Sequence, residues 1–226
     1  MNIDMIINLQ EETTFYKKLR NFIFFSLCNI PYKIGFFYKN KNYKKYSETV
    51  QLVKRIESDY KISNIYNLQK IKKKNEKPIL KFKYITISHG GVSSPQLWYL
   101  KSWKKLLYLL IKHFNFKIVI IGSKNEKEAA NYLYEIDKKK IVNMCGKTSL
   151  KELFNIIKYS KMHITNDNGS MHISTIYSIK TICMFNNHDP IGKWYPENKN
   201  AIIIRPNNGV NKIKPNFVFK KIKYLL

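Results

Sequence analysis

The stretch KMHITNDNGSMHISTIYSI, residues 161–179, decides the fold. Lys161 to Thr165 reads as a strand and residues 169–179 as a helix, so the polar loop Asn166-Asp167-Asn168 joins a strand's carboxyl end to a helix start. The same unit recurs on both sides. Upstream, Tyr84 to Ser88 (YITIS) is an apolar strand, Trp98 to Phe114 has leucines at helical spacing, and Lys117 to Ile121 (KIVII) is a buried strand ending at Gly122. Glu126 to Ile136 reads as a helix, Ile141 to Met144 as a strand, and residues 150–160 as a helix whose Ser149 and Glu152 fit a capping box. Downstream, Thr181 to Phe185 is a further strand. Five alternations over roughly 105 residues predict an α/β fold with a doubly wound parallel sheet.

In such sheets ligands bind beyond the carboxyl ends of the strands. The loops at those ends, 88–95, 122–126, 146–149, 165–172 and 186–190, therefore form one predicted site. Gly169 and Ser170 open a helix whose free backbone N–H groups and dipole favour a phosphate. Asp167 and His172 bring polar side chains to the same point; Asp167 or Asn168 can equally cap the helix. Of the remaining histidines, His163 lies inside a strand, His113 ends a lysine-rich helix, and His188 sits in a strand-end loop.

The first third of the chain is less regular. Ile3 to Leu9 reads as a short strand followed by a helix-like stretch through Phe25, Pro31 to Phe37 as a second strand, and residues 47–58 as a short helix. The lysine-rich stretch Asn67 to Pro78 is the best linker candidate. This organisation predicts an N-terminal α/β portion over residues 1–78 and a complete Rossmann-like domain over 79–226.

With 226 residues the chain amounts to about one and a half average domains. A hydrophobic content of 44% excludes disordered and collagen-like classes. Cys28, Cys145 and Cys183 form no CxxC pair, which argues against a disulfide scaffold or a zinc ribbon. No apolar run approaches the ~20 residues of a membrane span, and the acidic start (Asp4, Glu11, Glu12) is unlike a signal peptide. A soluble, cytoplasmic protein is the expectation.

The net charge of +26, from 41 Lys+Arg against 15 Asp+Glu, invites a nucleic-acid reading. Only three of those basic residues are arginine, the side chain whose bidentate fork reads phosphates and bases. The abundant Lys, Asn, Ile and Tyr share AT-rich codons, so the charge reads as genome bias at solvated positions. No nucleic-acid partner is expected. Weak attraction to an anionic membrane is expected instead, on the order of 1 kcal/mol per nearby Lys.

The segment from Ile85 to Pro196 resembles glycosyltransferase family 9, the family of the lipopolysaccharide heptosyltransferases. Six elements carry the likeness in order: His89-Gly90-Gly91-Val92-Ser93, Trp98, Gly122 to Glu126, Gly146-Lys147-Thr148-Ser149-Leu150, Asp167 to His172, and His188-Asp189-Pro190. The resemblance implies a GT-B-like fold, two Rossmann-like domains with the sugar nucleotide held mainly by the C-terminal one. It implies transfer of heptose or a related sugar from a nucleotide-diphosphate donor, ADP-heptose foremost, to a lipopolysaccharide or other glycolipid acceptor in a Gram-negative bacterium, at the inner face of the inner membrane. No cofactor and no metal are implied. Carried onto this sequence, Ser93 and Ser94 lie near the donor diphosphate, Glu126 at the ribose hydroxyls, and Lys147 and Thr148 beside the base. Asp167, Asn168, Gly169 and His172 approach the phosphates and the donor sugar.

Two departures accompany the likeness. Gln96 and Leu97 stand where the family usually carries a Lys for the departing diphosphate, with Lys101 and Lys104 the next cations along the chain. The family's first strand and glycine-rich loop, which bear the Asp thought to act as general base, have no counterpart after Met1. The sequence therefore predicts an N-terminal domain lacking its start and nominates no catalytic base; the alternative expectation is a truncated homologue that retains donor binding alone.

Overall fold

The protein is described by a computed structural model over residues 5–7, 16, 19–20, 23, 32–34, 76–90, 97–188, 191–192 and 194–226. The chain divides into two compact units, Met1–Asn67 with Ile191–Trp194, and Leu68–Pro190 with Tyr195–Leu226. In the first unit β1 (Met5–Ile7) and β2 (Tyr32–Ile34) pair in parallel, Met5 opposite Tyr32 and Ile7 opposite Ile34. Both fall inside stretches that the sequence predicts as strands. The helix expected over 47–58 lies outside the described residues, as do most of the expected linker residues.

The second unit is a three-layer α/β/α domain. Its elements follow in the order β3 (Tyr84–Ser88), α1 (Leu100–His113), β4 (Lys117–Ile120), α2 (Lys127–Tyr134), β5 (Ile141–Asn143), α3 (Leu150–Lys158), β6 (His163–Asn166), α4 (Gly169–Ile176), β7 (Thr181–Met184), β8 (Ala201–Ile204) and α5 (Pro215–Leu225). The six strands form one parallel sheet in the order β5-β4-β3-β6-β7-β8. The chain winds outward from β3 to β5, then returns beside β3 and winds outward the other way. That is the doubly wound order in which neighbouring strands β3 and β6 diverge into opposite layers. The sheet is the one that the alternating pattern predicts; β8 and α5 were not read from the sequence, although Pro215 opens α5 in the preferred first-turn position.

Parallel strands buried on both faces are continuous apolar runs. On one face Ile85, Ile87, Ile118, Ile120, Ile164, Ile182 and Met184 pack with Trp103, Leu106, Leu107 and Leu110 of α1, Leu133 of α2, and Val218 and Ile222 of α5. On the other, Tyr84, Val119 and Ile121 meet Ile156 and Ile157 of α3 and Ile173 of α4. Trp98 stacks edge-on against Trp103, with ring centroids 5.2 Å apart, and donates its indole N–H to the Ile213 carbonyl at 2.9 Å. The capping box expected at α3 is present: Ser149 Oγ accepts from the Glu152 amide, and the Glu152 carboxylate accepts from the Ser149 amide.

The second face changes character under α4. There the sheet presents Thr86, His163, Thr165 and Thr181, all fully buried. Buried polar groups need partners, and α4 supplies them: Ser174 Oγ accepts from Thr181 Oγ1 at 2.9 Å, and Ser170 Oγ meets His163 Nε2 at 2.8 Å. Hydrogen bonds, as well as apolar contact, seat this helix.

Replacing Leu106 by Ala removes a side chain wholly enclosed between α1 and the sheet and should cost about 2–5 kcal/mol in urea unfolding. Ser149→Ala, which removes only the exposed cap of α3, should cost about 1 kcal/mol.

Candidate functional site

Because all six strands run in parallel, the loops at their carboxyl ends share one edge of the domain. At its centre lies the point where β3 and β6 separate, with Ser88-His89-Gly90 leaving one strand and Asp167-Asn168-Gly169 leaving the other. Side chains stitch these two exits together. Asn166 donates through Nδ2 to the His89 carbonyl at 2.6 Å, and Asn168 donates through Nδ2 to Ser88 Oγ and the Gly90 carbonyl, both at 2.9 Å. The Asn168 Oδ1 accepts from the Ser170 amide at 3.0 Å and from Ser170 Oγ at 2.6 Å, capping α4. The sequence placed Asn168 among the donor-binding residues and also allowed it as a cap. The cap is present, and the amide's four hydrogen bonds all run within the protein, so any ligand contact at this position comes through the backbone.

Glu126 reaches the same point from β4. It ends a 3-10 turn, Lys124–Glu126, that leads into α2, and its Oε2 accepts from the Ser123 amide. Its carboxylate lies over Gly90 and Gly122: a Cβ at position 90 would overlap Oε1, and one at 122 would come within 2.5 Å of Oε2. Only glycine at these two strand exits lets the carboxylate cross from β4 to β3. The 146–149 loop turns on Gly146, whose φ of +69° suits glycine and whose Cβ would press on Lys124. Lys147, exposed, bonds the Asn143 carbonyl through Nζ at 2.9 Å, and half-buried Thr148 precedes the cap Ser149.

Asp167 is half-buried and its charge helps raise the Cys183 thiol, although burial is the larger cause. His172 lies in the first turns of α4, solvent-accessible yet with its basicity depressed by the surrounding protein. Ser93 and Ser94 lie outside the described residues, as do Asp189 and Pro190. Gln96 does too. His188 is exposed beyond β7, and His113 ends α1. Among the described residues no group of three or more His, Cys, Asp or Glu side chains could hold a metal ion, and no helix is long and apolar enough to cross a membrane.

His89 stands in the first of the six motif elements but is not among the residues that the sequence assigns to the site. It is only 4% exposed, and among the described residues neither ring nitrogen has a hydrogen-bond partner. Burial lowers its pKa, partly offset by Glu126, so the ring is neutral and presents one donor and one acceptor. An unpaired buried polar group costs about 1–3 kcal/mol. Its position directly after the apolar run YITIS, at a strand's carboxyl end, was the available signal.

The profile of Glycosyltransferase family 9 (heptosyltransferase) matches residues 29–222. The chain belongs to this family. Lipooligosaccharide heptosyltransferase 2 from two Campylobacter jejuni strains is 45% identical over 73 residues and 42% identical over 72, in each case 30% of this chain. This chain spans 23% of the length of those curated relatives. Among solved structures, the Escherichia coli heptosyltransferase WaaC with ADP aligns with all of the chain and 74% of its own, at a TM-score of 0.73 and 18% identity. A family 9 glycosyl transferase from Veillonella parvula aligns over 98% and 73% at 0.71 and 15% identity. The E. coli ADP-heptose lps heptosyltransferase II aligns over 64% and 46% at 0.58 and 22%. These likenesses establish the fold, α/β and GT-B-like, as the sequence predicts.

Three histidines have depressed basicity that titration can check. Burial lowers the pKa of His89 and pushes that of His163 down to about 3, and desolvation by the surrounding protein lowers that of the exposed His172. Each folded-state pKa lies below the unfolded one, so the unfolded chain takes up protons first as pH falls below about 6.5, and native stability drops from there toward about pH 3. Urea midpoints should therefore fall between about pH 7 and about pH 4.5, and fall less steeply in His163→Gln, which lacks the most depressed group.

Proposed function

We propose that this protein is a glycosyltransferase that moves heptose or a related sugar from a nucleotide-diphosphate donor, ADP-heptose foremost, to a lipopolysaccharide or lipooligosaccharide-type acceptor. The observation that carries the proposal is the switch-point site of a family 9 chain: Glu126 over Gly90, beside the Asp167–His172 loop at the start of α4. Support comes from the E. coli heptosyltransferase WaaC, which is similar in fold and has been solved with ADP and with ADP-2-deoxy-2-fluoro heptose.

Each residue has a role that its chemistry suits. The Glu126 carboxylate, with Oε2 engaged by Ser123, offers Oε1 to the ribose hydroxyls, and a carboxylate oxygen accepts two hydrogen bonds. Gly169, at the exposed first turn of α4, brings its backbone N–H to the diphosphate, where the helix dipole favours negative charge. Asp167 and His172 flank the donor sugar, Lys147 and Thr148 the base, and Ser93 and Ser94 the diphosphate. The buried His89 ring adds a donor for the same anion. In the transfer, an acceptor hydroxyl oxygen forms the new bond to the anomeric carbon as the bond to the diphosphate breaks. The nucleoside diphosphate leaves with the bonding electrons and the hydroxyl proton passes to a general base.

A glycolipid acceptor places the protein at a membrane surface. An open groove of about 490 Å³ along β8 and α5 supports that placement, lined by Ile202, Ile204 and Phe217 together with Lys212, Lys214 and Lys221. Its lining combines apolar surface with cations and holds no carboxylate, the combination that anionic lipid attracts. Lys212→Glu with Lys214→Glu and Lys221→Glu should weaken co-sedimentation with phosphatidylglycerol vesicles more than three Lys→Glu changes placed elsewhere on the surface, while phosphatidylcholine vesicles capture neither form.

Calorimetry with ADP and ADP-heptose tests the donor site. The wild-type chain should bind, Glu126→Ala and Asp167→Ala should each lose about tenfold or more in affinity, and Gly90→Ala should do the same by displacing the Glu126 carboxylate without unfolding the sheet. No binding of either nucleotide by the wild-type chain overturns the proposal. Binding without transfer to a lipooligosaccharide acceptor would leave a donor-binding homologue.

A further inference from the structure

The central strand of a buried parallel sheet carries an imidazole. His163 is completely buried in β6, beneath α4, where the neighbouring strands carry threonine or cysteine on the same face. Its Nδ1 lies 2.9 Å from Thr86 Oγ1 of β3 and its Nε2 2.8 Å from Ser170 Oγ of α4. From Ser170 the contacts continue to Asn168 Oδ1, and from Asn168 Nδ2 to Ser88 Oγ and the Gly90 carbonyl. A continuous chain of hydrogen bonds thus runs from the middle of the sheet to the crevice.

Two groups in that chain can act in one sense only, and they set the direction of all the others. The Gly90 carbonyl can only accept, so the Asn168 NH2 faces it; the Ser170 backbone N–H can only donate, so Asn168 Oδ1 faces α4. Ser170 Oγ, 2.6 Å from that oxygen, must then give it its single proton. Having given its proton, Ser170 Oγ can only accept from the imidazole, which places the His163 proton on Nε2. Nδ1 is left as an acceptor for the Thr86 hydroxyl. Thr86 is not otherwise committed to a closer acceptor, since Ser160 Oγ and the Met162 carbonyl lie at 3.3 and 3.4 Å.

We propose that His163 is a positioning residue of the nucleotide-sugar site: held as the Nε2–H tautomer, it donates to Ser170 Oγ and holds that hydroxyl on Asn168 Oδ1, reinforcing the amide that ties the Ser88–Gly90 strand end to the first turn of α4. This rests on the functional reading of the site given above. The consequence is geometric. Gly90 lies under the Glu126 carboxylate, so the same amide sets the floor on which the ribose ligand rests and the start of the helix that faces the diphosphate. Losing the Ser170 hydroxyl would remove the shortest of the amide's four hydrogen bonds and weaken its hold on both at once.

Two measurements on the full chain test this, one of them without any nucleotide. In long-range ¹H–¹⁵N spectra of ¹⁵N-histidine protein, the resonance pair lost in His163→Gln should show the Nε2–H tautomer; an Nδ1–H tautomer or an imidazolium at neutral pH overturns the relay. In titrations with ADP, Ser170→Ala and His163→Leu should weaken binding about tenfold. Ser170→Thr, which keeps the hydroxyl, and His163→Gln, which keeps a donor toward Ser170, should restore it to within about threefold. Melting temperatures of all four variants separate this from a general loss of fold, because a purely structural role would make affinity follow stability and show no rescue. Wild-type affinity in Ser170→Ala overturns the proposal. If the wild-type chain binds none of ADP, GDP or UDP while the tautomer is as expected, the functional reading fails and takes the ligand role of the relay with it.

Discussion

The parallel pairing of β3 with β6 is the contact on which the rest of the domain depends. These strands are separated in the chain by two complete helix–strand units, yet Thr86, Ile87 and Ser88 lie in register with His163, Ile164 and Thr165. The reversal of winding at this seam sends the following loops to opposite sides and opens a crevice between them. Backbone hydrogen bonds alone would leave polar side chains of both strands buried and unpaired on one face. The hydroxyls and imidazole there satisfy one another and α4 instead, and in doing so connect the sheet interior to the crevice. Apolar packing of Ile85, Ile87 and Ile164 against α1 holds the opposite face, so the seam is apolar on one side and hydrogen-bonded on the other.

This division explains why the site residues divide as they do. Groups that act within the protein, Asn166 and Asn168, lie on β6 or directly after it and lock the two strand exits together. Groups available to a ligand come from further along the edge: Glu126 crosses from β4 over two glycines, and Gly169 and His172 lie on the solvent side of α4. The high positive charge has little part in this architecture. The pair Lys138–Glu135 is exposed and Lys151 meets a half-buried Glu76 at 3.9 Å; ion pairs of this kind add little to stability, and most of the described lysines face water.

Much of the fold was legible because its signals are local. Apolar runs such as YITIS and KIVII, the Ser149–Glu152 cap and the strand–loop–helix of residues 161–179 each need only a few adjacent residues to be recognised. β8 and α5 lie past residue 196; AIII and PNFVFKKIKYLL carry local strand and helix signals, but among the described residues no helix separates β7 from β8, so the alternating pattern does not extend to them. The loop set of the site followed from strand direction alone. What each side chain does there did not: whether Asn168 binds a ligand or clamps Gly90 depends on a residue 78 positions away in sequence, and His89 shows its unpaired nitrogens only once its burial is known.

The amino-acid sequence by itself determined that this protein is an α/β chain with a parallel sheet, that its candidate site loops share the edge at the strand carboxyl ends, and that these loops follow the order of the family 9 glycosyltransferases. These are consequences of periodicity and of motif order, properties that exist in one dimension. Tertiary structure alone decided that Glu126 crosses Gly90, that Asn168 is engaged inside the protein, and that His163 is a link to the crevice rather than an inert strand residue. A hydrogen bond needs its donor and acceptor within about 3 Å, and for residues dozens of positions apart only the folded sheet brings them there.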